Sequence, residues 1–209
     1  TQMKNRERRD KMIVDILRHI VEFRNGEDEW HVENVSKITE LLLTSLVKRT
    51  NKYHLTWEER RTITLASSLH DIGKIGISED ILGKHGRLTP EERRIMQTHT
   101  VLGEQILNSL ERFRDEELVR IAAQVCRSHH ERYDGGGYPD GLVGEQIPIS
   151  AQVVSLADTY DALISVRPYR DGLTHDEAIR RICSGECGVF NPLLLGCLRD
   201  IEGCLREAQ

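Results

Sequence analysis

Nine histidines are spread along the chain, and five of them stand where they could share a centre with carboxylates. His31 follows Glu27 by four residues, a spacing that stacks both side chains on one helical face. His70 and Asp71 are adjacent at the end of an apolar helical run. His99 lies within a helical stretch, His129 and His130 end another, and Asp158 sits inside the apolar run VVSLADTY. Each has a plain explanation when taken alone: a helical histidine is usually packed or solvated, and a buried acid can be satisfied by a backbone donor. Number changes the reading. Several acids and imidazoles at core-facing positions are costly unless something pairs them, and a cation does so best.

The donor types bear on the ion. Imidazole plus carboxylate without thiolate argues against a structural zinc site and points to iron or manganese. The candidate ligands Glu27, His31, His70, Asp71, His99, His129, His130 and Asp158 exceed what one ion needs. Two or three divalent ions are therefore expected, with Asp71 as a bridging carboxylate. A pair of ions about 3.5–4 Å apart is the usual arrangement for in-line displacement at phosphorus. Lys74, one turn after His70, is placed to help a leaving oxygen; spacing alone equally allows a surface lysine. His19, His54, His85 and His175 have loop or surface-type neighbours and are expected to be solvated.

Helical signals dominate the segments that must carry these residues. Met12, Ile13, Ile16, Leu17, Ile20 and Val21 recur at helical spacing, which predicts a leading helix that stops near RNGEDEW. A second helix carries His31, Val35, Ile38, Leu42 and Leu46, and a third runs from Thr56 to a break at Gly73. Thr89-Pro90-Glu91-Glu92 places a cap, a first-turn proline and a third-position glutamate in register, so a helix bearing Met96 and His99 starts there. Glu116 to His129 reads as another helix. Residues 135–149 read as a loop, with a short turn around EQIPIS. Ser150 is expected to cap AQVVSLADTYDAL, Thr174 with Glu177 to cap HDEAIRRI, and Asn191-Pro192 to open the last helix. Strand-like alternation is otherwise absent, so the expected class is all-α.

With 209 residues the chain suits one domain with an appendage. The expected division is a connector helix over 1–25 and the main domain over 26–209. An apolar content of 38 %, a charged content of 30 % and a net charge of −5 describe an ordinary soluble protein rather than a general nucleic-acid binder. No DNA partner is expected. No apolar run approaches a membrane span and the N-terminus lacks a signal-peptide core. Cys126, Cys183, Cys187, Cys197 and Cys204 form no CxxC pair, which suits reduced thiols in the cytoplasm. The chain does not begin with Met, so it is expected to be a piece of a longer protein with an upstream regulatory domain. The leading helix is expected to pair with its counterpart in a homodimer, although it is short for a coiled coil.

The stretch HHERYDGGGYPDG, residues 129–141, places a histidine pair and an acid just ahead of three glycines and Tyr-Pro. Glycines let a loop approach a site without side-chain obstruction. Tyr138 in such a loop either stacks on a base or fixes the loop.

Taken with HDIGKIGISEDIL, GRLTPEE, MQTHTVLGEQIL, IPISAQVVSLADTYDAL and RPYR, that stretch resembles the HD-GYP domain. This is a subgroup of the HD metal-dependent phosphohydrolases. The motifs run in the family's order from about Glu27 to Asn191. The resemblance implies an HD-domain helical bundle around a multinuclear iron or manganese site. It also implies hydrolysis of the bacterial second messenger cyclic di-GMP to linear pGpG, and in some members on to GMP. By motif, the metal ligands would be His70, Asp71, His99, His129, His130 and Asp158, with Glu27 and His31 added in members that hold a third ion. Asp71 and Lys74 would serve at the scissile phosphate. Gly137, Tyr138 and Pro139 form the loop that names the group, and Arg167 and Arg170 match basic positions that contact substrate.

The chain departs from the family pattern at Asn34, Gly136, Val166 and Asn191, where Arg, Thr or Ser, Asp and Asp are common. None of these is an expected ligand. They bear on substrate preference and turnover, since Gly136 adds loop entropy that binding must overcome. Two other functions compete with the phosphodiesterase: a weakly active or inactive nucleotide-sensing module of the same fold, and an HD hydrolase of another cyclic dinucleotide.

Overall fold

Local chemistry starts four of the described helices where the sequence places them. The computed structural model describes residues 2–25, 29–166 and 171–207, with side chains described over 8–19, 30–166 and 171–206. Helix α1 spans Gln2–Asn25 and α2 spans Glu29–Arg49. Helix α3 (Trp57–Ser67) opens on a reciprocal cap: Glu59 N–H donates to Thr56 Oγ1 at 3.1 Å, and Thr56 N–H donates to the Glu59 carboxylate at 2.8 Å. A short α4 (Glu79–Leu82) precedes α5 (Pro90–Gln97), which repeats the reciprocal cap with Thr89 and Glu92 and adds Pro90 in its first turn. Helices α6 (His99–Asn108), α7 (Glu117–Ser128) and α8 (Ile149–Ile164) form the middle of the fold. Helices α9 (His175–Ser184), α10 (Pro192–Asp200) and α11 (Glu202–Glu207) close it. Thr174 caps α9 and Asn191 caps α10, as their residue types predict. Among the described residues the only β pairing is an isolated bridge between Asp134 and Val143, so the all-α expectation holds.

The core runs through the middle of this bundle. Helix α2 lies against α3, α8 and α10, and α7 packs between α3, α6 and α8. Leu42, Leu43 and Leu46 of α2 meet Val153, Leu156, Ala157 and Tyr160 of α8, with Ala122 and Val125 of α7 in the same cluster. Burying a residue such as Leu156, which is fully enclosed, stabilises enough that truncation to Ala costs about 2–5 kcal/mol. Helix α1 packs on the rest through Val14 and the turn at 72–76, while Met12, Ile13 and Ile16 stay exposed. No described helix is long and apolar enough to cross a membrane. The five cysteines are free thiols.

Five details differ from the sequence expectation, one being that the helix opened by Asn191-Pro192 is not the last: it ends at Asp200 and α11 follows. The third helix does not run to Gly73. It ends at Ser67, and the chain tightens through bonds from Leu69 N–H to Ala66 O and from His70 N–H to Ser67 O into a 3-10 turn at Ile72–Gly76. Gly73 makes this possible: a Cβ there would lie 1.8 Å from the His99 carbonyl oxygen. The stretch bearing Met96 and His99 is divided at Thr98 instead of forming one helix. Three consecutive side chains, Thr98 Oγ1, His99 Nδ1 and Thr100 Oγ1, bond the carbonyls three residues earlier and draw them out of the regular ladder. Ser150 does not cap α8, because the Pro148 carbonyl already accepts from Gln152 N–H and starts the helix earlier. His175 is buried rather than solvated, its Nδ1 2.7 Å from the Tyr160 hydroxyl.

Candidate metal centre

Five described segments aim their chemistry at one place. His31 comes from the first turn of α2, His70 and Asp71 from the tight turn after α3, and His99 from the first residue of α6. His129 and His130 end α7, and Asp158 comes from the middle of α8. The ring and carboxylate atoms form two groups, Asp71 with His99, His129 and His130, and Asp158 with His31 and His70; within each, the candidate donor atoms lie within 4.8 Å of one another. Asp71 belongs to both by position. Its Oδ1 is 3.2 Å from His99 Nε2 and 3.7 Å from His129 Nε2, while its Oδ2 is 3.3 Å from His70 Nε2. Asp158 Oδ1 lies 3.4 Å from His31 Nε2 and 4.0 Å from His70 Nε2. Lys74 faces the same centre, its Nζ 2.7 Å from Asp71 Oδ2.

The rings are oriented from behind. His70 Nδ1 bonds the Ser67 carbonyl at 2.8 Å, His99 Nδ1 the Met96 carbonyl at 2.7 Å, and His129 Nδ1 the carbonyls of Val125 and Cys126 at 3.0 Å. A carbonyl only accepts, so each Nδ1 carries the proton and each Nε2 turns toward the centre. In the neutral rings His99 and His129 then present two lone pairs 3.5 Å apart. The buried His70 Nε2 and Asp71 Oδ1 have no hydrogen-bond partner. Facing lone pairs and orphaned buried atoms are unfavourable unless a positive charge sits among them. The donor set therefore fits divalent cations, with two groups joined by one carboxylate.

Burial and charge divide the histidines. Burial disfavours a charged His70 ring, yet Asp71 and Asp158 outweigh it and lift its pKa to about 9. Burial pushes His99 down to about 4, with Asp71 only partly opposing. Burial, reinforced by His129, holds His130 well below the usual imidazole value. Burial alone would raise the Asp71 carboxyl, but Lys74 and His70 hold it well below the usual carboxylate range. Neutral imidazole and ionised carboxylate are the forms that bind metal, and His99, His130 and Asp71 are already in them at neutral pH.

Of Gly137, Tyr138 and Pro139, it is Tyr138 that borders the centre. Tyr138 N–H donates to the His130 carbonyl at 3.2 Å, and its ring stacks on His130 with centroids 4.8 Å apart. Gly137 passes so close to the chain that a Cβ would lie 2.3 Å from Arg132 N. Gly136 N–H donates to Asp134 at 2.9 Å, Asn191 is buried on Tyr53 and Gln152, Val166 is 78 % exposed and Asn34 is half-buried. Glu27, Arg167 and Arg170 lie outside the described residues.

Two acids with clear positions here were missed by sequence reasoning. Asp161, fully buried, lies 2.6 Å from His31 Nδ1 and accepts from Ser165 Oγ at 3.1 Å. Its signal was available: it follows Asp158 by three residues on the same helix face. Glu131 follows the histidine pair directly. It is buried, and its carboxylate accepts from the N–H groups of Asp140, Gly141 and Leu142, pinning the loop beyond Tyr138.

The chain is similar in sequence and fold to known proteins. A family model described as the HD domain matches residues 18–187. The cyclic di-GMP phosphodiesterase response regulator RpfG of Xanthomonas campestris is 37 % identical over 89 % of this chain and 46 % of its own length. A cyclic di-GMP phosphodiesterase of Thermotoga maritima is 37 % identical over 91 % of this chain and 49 % of its own. The 3'3'-cGAMP-specific phosphodiesterase 2 of Vibrio cholerae is 38 % identical over 91 % of this chain and 34 % of its own. The chain thus spans about half or less of the length of these relatives. Among solved structures, Bd1817 of Bdellovibrio bacteriovorus, an HDG"Y"P protein, matches with a TM-score of 0.62 at 22 % identity, covering 82 % of this chain and 51 % of that one. At that identity it speaks for the fold.

Proposed function

Since the chain belongs to the HD domain family of metal-dependent phosphohydrolases, we propose that it is a phosphodiesterase that opens cyclic di-GMP to linear pGpG and carries it on to GMP. One observation carries the reading: Asp71 turns one oxygen toward each of two histidine groups. His31, His70, Asp71, His99, His129, His130 and Asp158 would hold two iron or manganese ions, and Glu27, four residues before His31 in sequence, would help to hold a third. Bound there, the ions would supply Lewis acidity and a hydroxide at neutral pH.

The chain's own residues do the rest. Lys74 is anchored on Asp71 at 2.7 Å, which sets an ammonium beside the reacting phosphate, where it offsets charge building on the leaving 3′ oxygen. Tyr138, braced on His130, forms an aromatic wall at the edge of the site. Arg167 and Arg170 complement phosphate charge on a chain that is acidic as a whole. The exposed apolar residues Met12, Ile13 and Ile16 of α1 support a homodimer through that helix. Relatives at least about twice as long support a reading in which residues 1–25 connect a regulatory domain to a phosphodiesterase domain over 26–209.

The test is anaerobic reconstitution with Fe²⁺ or Mn²⁺, incubation with cyclic di-GMP and chromatography. Linear pGpG followed by GMP is expected; no linear product with either metal would end the reading. A second substrate, 3'3'-cGAMP, is favoured by the name of the Vibrio cholerae relative, and the same assay with that dinucleotide ranks the two.

A further inference from the structure

A groove of about 430 Å³ opens beside the metal centre, lined by Arg87, Leu88, Arg93, Met96, Gln97 and Tyr138. Two of its walls are tied to candidate ligands. The Tyr138 ring stacks on His130, and the Met96 carbonyl holds His99 Nδ1. Whatever occupies the groove is therefore held against the site where phosphate would react.

The arginines here are uncommitted. Their acidic neighbours on α5 are engaged elsewhere: Glu91 pairs with Arg94 at 3.0 Å, and Glu92 with Lys84 and the Thr89 N–H. Neither Arg87 nor Arg93 makes an ion pair among the described residues, and both are exposed. Two free guanidinium groups beside an aromatic ring and a thioether form a recognisable combination. Aromatic and apolar faces take a base flat. A guanidinium fork donates in pairs and has no acceptor, so it matches the O6 and N7 acceptors of guanine and mismatches the amino group of adenine.

We propose that this groove is a guanine-reading subsite, in which Tyr138 and Met96 pack the base and Arg87 with Arg93 bind its O6/N7 edge. It rests on the phosphodiesterase reading and adds the basis for choosing between purines. Arg87 and Arg93 act on binding and stand apart from the reacting atoms.

The experiment uses the manganese-loaded protein and its R87A/R93A variant, with cyclic di-GMP as substrate and cyclic di-AMP as competitor. In the variant, KM for cyclic di-GMP should rise roughly tenfold to hundredfold with kcat little changed, the range that a bidentate guanine contact commands, while Ki for cyclic di-AMP moves less than about threefold. An R87K/R93K variant, charged but without the fork, should recover little of the loss. An unchanged KM, or KM and Ki rising together, would overturn the subsite, the second outcome marking contacts to phosphate alone. Unchanged metal content and melting temperature verify that the variants are folded. The parent reading fails in a different way: wild-type protein that cleaves bis(p-nitrophenyl) phosphate but no dinucleotide sinks both.

Discussion

In the group formed by Asp71, His99, His129 and His130, two rings are fixed by main-chain carbonyls and the third, His130, is braced by a stacked tyrosine. In the group formed by His31, His70 and Asp158, the Ser67 carbonyl likewise fixes His70, but His31 hangs on one side chain, Asp161. Exposure sets His31 and Asp158 apart as well: they keep 15 % and 18 % of their side-chain surface, whereas His70, His99 and His129 are nearly sealed. A backbone carbonyl cannot be mutated away, so His70, His99 and His129 are secured by the fold itself. His31 depends on a substitutable residue, which makes the ion it would help hold the easier one to lose.

Removing the shared carboxylate should erase the difference. D71A is expected to cost at least about a thousandfold in turnover and to lower metal content in both groups, because each loses a ligand; activity near wild type would show that the groups work independently. D161N should separate them. Outer partners of ligating histidines typically carry about ten- to hundredfold in metal affinity, so titration should show one ion per chain bound that much more weakly and the rest unaffected. Uniform weakening would contradict the asymmetry.

Acidity offers a third contrast, read as the melting temperature of chelator-treated protein. His99, held near 4 in the fold against about 6.5 in an unfolded chain, binds its proton more readily when unfolded, so stability falls as pH drops from 6.5 toward 4. His70, raised to about 9, holds its proton more tightly when folded, so its contribution is complete below 6.5 and is lost as pH rises toward 9. The melting temperature should peak near pH 6.5, and added manganese should flatten its alkaline side. A profile rising steadily to pH 9 would refute the His70 assignment. The smallest effect belongs to S165A, which removes one hydrogen bond to Asp161 and should cost roughly 0.5–1.5 kcal/mol of stability with a minor loss at the His31 ion.

How much of this was legible depended on how local the cause was. Thr56 with Glu59 and Thr89 with Glu92 settle their helix starts within four residues, and both starts appear where the residues place them. The candidate ligands stood out because so many imidazoles and acids fall on apolar faces. The tight turn carrying His70 and Asp71 was not legible, since it exists only because Gly73 lies against α6. His175 looked solvated because its partner, Tyr160, comes from another helix. Asp161 and Glu131 act through contacts behind the site, and residue type alone could not distinguish them from surface acids. The arginines of the groove were invisible for the same reason: their freedom follows from where Glu91 and Glu92 turn.

The central claim is that one aspartate joins two cation sites, and counting ions tests it most directly. Elemental analysis of anaerobically purified protein should give at least two iron or manganese ions per chain, with D71A retaining fewer than one. A single ion in the wild type, or an undiminished count in D71A, would contradict it.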